Sequence, residues 1–179
     1  MSSLYIDDRE EGTSKETSHP NFVAAAPEDF WYSGGDEYTP FGNDSGHDTL
    51  RYLEVWLSEN GAQADVAEFI KDLIYNAWGL EDRDYLMLTD SQALTKLHYS
   101  AEQFLHDMQD QAVIAAAFGQ LKITGQAGAE IMKLAGYALA RQRAVAETAY
   151  TDEKNPFREY APQYLERVAE FEKLLKRFS

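Results

Sequence analysis

The chain has 179 residues with 31 Asp and Glu against 16 Lys and Arg, a formal net charge of −15, and no cysteine. That length suits one domain with a real core, and the missing cysteine excludes disulfides, thiolate metal sites and cysteine nucleophiles while fitting a cytoplasmic setting. Residues 1–90 hold 20 acids and five bases, whereas residues 91–179 hold 11 of each, so the excess charge lies in the first half, where it repels nucleic acid and anionic membrane and attracts basic partners.

The opening MSSLYIDDREE has no basic region leading into an apolar run, so no secretory signal is read there. No uncharged apolar run approaches the roughly 20 residues of a membrane span. Residues 1–18 are polar and acidic and read as a mobile arm, ahead of a single helical domain over residues 19–179. Residues 19–44 form an irregular segment dense in aromatics, with one short helical turn expected from Asn21 to Ala26. Phe30, Trp31, Tyr32, Tyr38 and Phe41 are too many large rings for a free loop, so they pin the segment to a core or a partner. Gly34 and Gly35 read as a turn with positive φ, and Asn43, Asp44 and Ser45 are all suitable helix caps. Ser45 and Asp48 resemble a capping box.

The first long helix is expected from Ser45 to Asn60, with Leu50, Leu53, Val55, Trp56 and Leu57 inward and Arg51 and Glu54 elsewhere. A second follows from Ala64 to Trp78 and stops at Gly79. Residues 80–90 make an acidic connector in which Tyr85-Leu86-Met87-Leu88 reads equally as a strand or a helical turn. A short helix through Leu97 and a longer one from Ser100 to Ile123 come next, with Gly119 a point of weakness in the latter. Residues 127–150 form a helix with small residues on several faces, suited to close neighbours or to a second copy of the chain. Arg141 and Arg143 sit toward its C-terminal part, where positive charge is favoured. A last amphipathic helix opens at Pro162. The fold class is therefore mainly α: a helical, bundle-like single domain with an irregular aromatic and acidic N-terminal segment.

His19-Pro20, Asp29-Phe30-Trp31-Tyr32, Pro40-Phe41-Gly42-Asn43-Asp44, Gly46-x-Asp48-Thr49-Leu50, Phe69-Ile70 and Ala77-Trp78-Gly79 together resemble the YfeS-like family of bacterial proteins. The resemblance covers roughly residues 18–80. Phe41, Asn43, Asp44 and Asp48 are also similar to a pattern in a second uncharacterised bacterial family. The resemblance implies a bacterial source and brings no activity or catalytic residue.

Two chemistries compete for the polar residues. Asp36, Glu37, Asp44 and Asp48 present carboxylates beside Trp31, Tyr32 and Tyr38, as a site for a basic protein would, with the acids meeting Lys or Arg and the rings acting as anchors. This is the favoured reading: a binding protein without catalysis or cofactor, in the manner of a bacterial immunity or inhibitor protein acting on a toxin. The same acids with Asn43 could bring oxygen ligands to calcium, although helix capping accounts for them equally. The alternative site is a metal-binding or hydrolytic centre at His98, Glu102 and His106. With Asp110 these residues recur at i+4 steps along one helix, a pattern that a solvated polar face produces more often.

Overall fold

The computed structural model describes residues 3–89, 92 and 103–179, and among these it contains six α-helices. α1 is Pro20–Ala25, α2 Asp44–Asn60, α3 Val66–Asp72, α4 Gln103–Thr124, α5 Ala129–Thr151 and α6 Ala161–Phe178. The protein is mainly α, as its apolar periodicity predicts. α4 lies at the centre, packed on α2 on one side and α5 on the other, and α5 in turn carries α6. The small residues of α5 are used within the chain: Ala135, Ala138, Ala144, Ala146 and Ala149 are all buried.

The aromatic segment is the wedge that locks this arrangement. Trp31 closes a short 3-10 turn, Asp29–Tyr32, and lies 5.4 Å from the Phe118 ring on α4 and 5.2 Å from Phe171 on α6. It is 2% exposed. The segment thus faces inward and seals the junction of two helices distant in sequence. Gly34 and Gly35, expected at positive φ, are not there; the positive-φ glycines are Gly12, Gly61, Gly79 and Gly125, of which Gly61 and Gly79 match the expected stops of the first two long helices. Gly119 is a point of close approach: a Cβ on it would lie 2.9 Å from Leu53 Cδ2, so its bareness lets α2 settle onto α4.

Other local expectations shift by small amounts. α3 is shorter than the predicted helix and ends in a π-turn over Leu73–Ala77, where the Trp78 N–H reaches back to the Leu73 carbonyl at 2.9 Å. Tyr85–Met87 is a 3-10 turn, which resolves the choice between strand and helical turn. On α2 the roles of Glu54 and Val55 are exchanged. Glu54 is buried and Val55 is 46% exposed, because the N-terminal stretch supplies polar partners on the Glu54 side.

That stretch, read as a mobile arm, is tied to the body from Leu4 onward. Tyr5 N–H donates to the Ile123 carbonyl at 3.0 Å and His19 N–H to the Lys122 carbonyl at 2.7 Å, which satisfies oxygens at the end of α4 that have no partner within the helix. Beside them the fully buried Lys122 ammonium meets Asp7 Oδ1 at 2.7 Å and the Thr17 carbonyl at 3.2 Å. Glu54 accepts from the Asp7 N–H at 2.9 Å, and Arg51 closes the cluster with contacts to Glu54 at 2.8 Å and Asp7 at 3.4 Å. Burial pulls the Lys122 pKa down and pushes Glu54 up, each partly opposed by the charges around it.

Removing one member of a buried pair strands the other, at a cost of about 3 kcal/mol or more. Asp7→Asn is therefore expected to lower stability by about that amount in urea unfolding, and Asp7→Asn combined with Lys122→Met to recover a large part of it. Equal losses in the single and double variants would show that the pair is not the source.

Candidate functional site

A cleft of about 500 Å³ opens where the end of the aromatic segment meets α4, α5 and the turn leading into α6. The segment reaches it through two close backbone contacts. A Cβ at Gly42 would overlap the Asp36 carbonyl oxygen, and one at Gly46 the Pro40 carbonyl oxygen. Asn43 caps α2 by accepting from the Gly46 N–H at 2.7 Å, so Asn43, and not Ser45, ends the segment. This folded-over turn sets Glu37, Tyr38 and Asp44 on one wall. α4 contributes Asp107, Met108 and Ile114, while α5 and α6 contribute Gln142, Val145 and Tyr164. Phe104, Phe157 and Tyr160 also line it and are 72%, 63% and 52% exposed.

The charge of this lining is one-sided. Among the described residues, Glu37, Asp44 and Asp107 belong to it and no Lys, Arg or His does. Among the described residues neither Glu37 nor Asp44 forms an ion pair, and both are exposed. Asp107 is half-buried, and burial pushes its carboxyl up to about 6, with the neighbouring Asp110 adding to the shift and a Gln142 hydrogen bond opposing it.

Behind Asp107 stands a buried polar network. Asp110 Oδ1 accepts from Arg141 Nε at 3.1 Å and Nη2 at 2.8 Å, while its Oδ2 accepts from the Tyr85 hydroxyl and Gln142 Nε2, both at 2.9 Å. Arg141 Nη1 donates to the Leu86 and Leu88 carbonyls at 3.2 and 2.9 Å, and the guanidinium lies 4.6 Å from the Tyr85 ring centre. Gln142 links this core to the cleft: its Nε2 also donates to Asp107 Oδ1 at 3.2 Å, and its Oε1 accepts from the Tyr164 hydroxyl at 2.8 Å. Burial raises the Asp110, Tyr85 and Tyr164 pKa values; for Asp110 the charge of Arg141 and hydrogen bonds from Arg141, Gln142 and Tyr85 work against it. Arg141, expected toward the C-terminal part of its helix where positive charge is favoured, is fully buried because Asp110 and two backbone carbonyls meet its donors.

The residues chosen from sequence separate into three groups. Glu37, Tyr38 and Asp44 come together at the cleft. Trp31 and Tyr32 do not: both are buried, with the Tyr32 hydroxyl donating to the Ala26 carbonyl at 2.8 Å, so neither offers a surface. Asp36 is paired with Arg167 of α6 at 3.0 Å, and Asp48 is exposed on α2 outside the cleft. Of the alternative metal set, His98 and Glu102 lie outside the described residues. His106 is buried, stacked on Tyr85 with centroids 4.2 Å apart and 3.8 Å from Asp82. Among the described residues no group of three or more His, Asp or Glu is placed to share a metal ion. His106 and Asp110 also depart from a solvated stripe, since both are inside. Asp107, Gln142, Tyr160 and Tyr164 were missed from sequence. Only Asp107 carried a signal, as an acid one residue beyond the expected polar stripe.

The raised Asp107 carboxyl has a measurable consequence. The folded state holds this proton more tightly than the unfolded chain, whose carboxyl titrates near 3.8, so the group's contribution to stability falls as pH rises from about 4 to about 6. Asp107→Asn has no such proton to lose. Its stability relative to the parent chain is expected to grow by about 3 kcal/mol across that window and then level off, as followed by urea unfolding at several pH values. A difference that stays flat with pH would contradict the assignment.

No family model and no solved structure matches the chain. It is similar to the uncharacterised protein YfeS of Escherichia coli (strain K12), at 32% identity over 149 residues. The match takes in 82% of this chain, further than the stretch 18–80 that carries the motifs, and the chain spans 59% of the length of YfeS. Among the described residues no helix is long and apolar enough to cross a membrane. Over most of its own length, then, the chain is a YfeS-like protein of mainly α fold.

Proposed function

We propose that this is a non-catalytic binding protein that receives a basic partner protein at the cleft between the aromatic segment and helices α4 to α6. One observation carries the reading: among the described residues, three carboxylates and no cation line a largely apolar cleft with exposed aromatic rings in its wall. Desolvated aromatic anchors with a complementary charged rim are how protein interfaces gain affinity and orientation. The excess negative charge of the first half supports it by drawing a basic partner toward this side before contact. An immunity or inhibitor protein acting on a basic toxin would work in this way.

The anchors differ from those the sequence suggested. Tyr38 is kept, Phe157 and Tyr160 take the place of Trp31 and Tyr32, and Glu37 and Asp44 act without Asp36, which Arg167 neutralises. The test is a pull-down from bacterial lysate at low and high salt, comparing the parent chain with Glu37→Lys/Asp44→Lys. A basic protein held by the parent at low salt, weakened by salt and lost in the double variant is the expected result. Undiminished capture by the double variant would remove the cleft from consideration as the interface.

A further inference from the structure

We propose that the group entering the cleft is a lysine side chain of the partner, its ammonium received by the free carboxylate oxygen of Asp107. This rests on the reading above and adds which side chain enters and what holds it. Asp107 is the half-buried acid of the three lining the cleft, whereas Glu37 and Asp44 are exposed. Its Oδ1 is already engaged by Gln142 Nε2 at 3.2 Å, and among the described residues its Oδ2 accepts no hydrogen bond.

The single open oxygen favours an ammonium over a guanidinium: Arg141 places Nε and Nη2 on one Asp110 oxygen here, but it also takes two backbone carbonyls for Nη1. A guanidinium fork is best matched by both oxygens of a carboxylate, as Arg143 shows here with Glu172, at 3.0 and 2.7 Å on the two oxygens. An ammonium is a compact point donor that needs one. The walls suit the rest of a lysine, since Met108, Ile114, Val145 and Ala146 are the apolar surface its methylenes would cover. Tyr38 and Tyr164, with ring centroids 5.5 Å apart, add faces that attract a cation.

The anchor is also positioned in advance. Gln142 is held at once by Asp110 and by the Tyr164 hydroxyl, so Asp107 meets its ligand without prior rearrangement. With its carboxyl raised by burial to about 6, Asp107 is ionised at neutral pH and is short of the opposite charge that a lysine would bring.

The test titrates the full chain with N-acetyl-lysine methylamide, its norleucine and arginine counterparts, and 1,5-diaminopentane, followed by NMR shifts. The lysine compound is expected to bind about ten-fold tighter than norleucine and several-fold tighter than arginine. Asp107→Asn, which keeps an oxygen for Gln142, is expected to bring lysine to the norleucine level. Equal binding of lysine and norleucine to the parent chain would overturn the proposal even if the variant failed to fold. So would lysine binding unchanged by a folded Asp107→Asn. Tighter binding of the diamine than of the lysine compound would overturn the protein source in favour of a free amine. If partner capture is lost in Glu37→Lys/Asp44→Lys but intact in Asp107→Asn, the lysine inference fails and the basic-partner reading stands; if neither change matters, both fail.

Discussion

The Arg141–Asp110 pair is the contact on which the rest of the structure depends. Both groups are fully buried, and a buried charge costs several kcal/mol unless its partners are in place. Asp110 comes from α4, Arg141 from α5, and the remaining partners from the turn around Tyr85. The three elements must therefore arrive together. The pair also sets the cleft, because Gln142, next to Arg141 on α5, binds Asp110 on one side and Asp107 and Tyr164 on the other. A network with each of these groups engaged is more rigid than its separate contacts.

At the end of α4, Lys122 plays a similar part with Asp7 and Glu54. The Lys122 cluster and the Asp36–Arg167 pair give the uneven charge of the chain a structural meaning. Acids of the first half, Asp7 and Asp36, are answered by cations of the second half, Lys122 and Arg167. Part of the asymmetry is thus consumed inside the fold. Among the described residues, Glu37, Asp44 and Asp107 have no cation beside them in the cleft lining, and it is these that the proposed partner would meet.

The aromatic residues divide in the same way. Trp31 fills the space between Phe118 and Phe171 and is part of the reason α6 sits where it does. Tyr38, seven residues later, is half-buried against Tyr164 in the cleft wall. The division follows from the backbone just after Tyr38, where Gly42 and Gly46 allow the chain to fold against the Asp36 and Pro40 carbonyls. One face of the segment is pressed into the core while the other lines the opening.

The amino-acid sequence alone determined the helices, because apolar spacing and glycine stops are local properties: α2 and α5 fall within a residue or two of their expected ends, α6 opens one residue before its expected start, and Gly61 and Gly79 lie where expected. It also showed that the segment around Phe30 to Phe41 needed a place to bury its rings. Only the tertiary structure decided which rings went inside, which acids were neutralised, and that Arg141 and Asp110 belonged to the core. The physical reason is that charge pairing and burial depend on residues far apart in the chain. Asp36 meets Arg167, Asp7 meets Lys122, and Asp107 gains its cleft only when α5 and α6 close beside it.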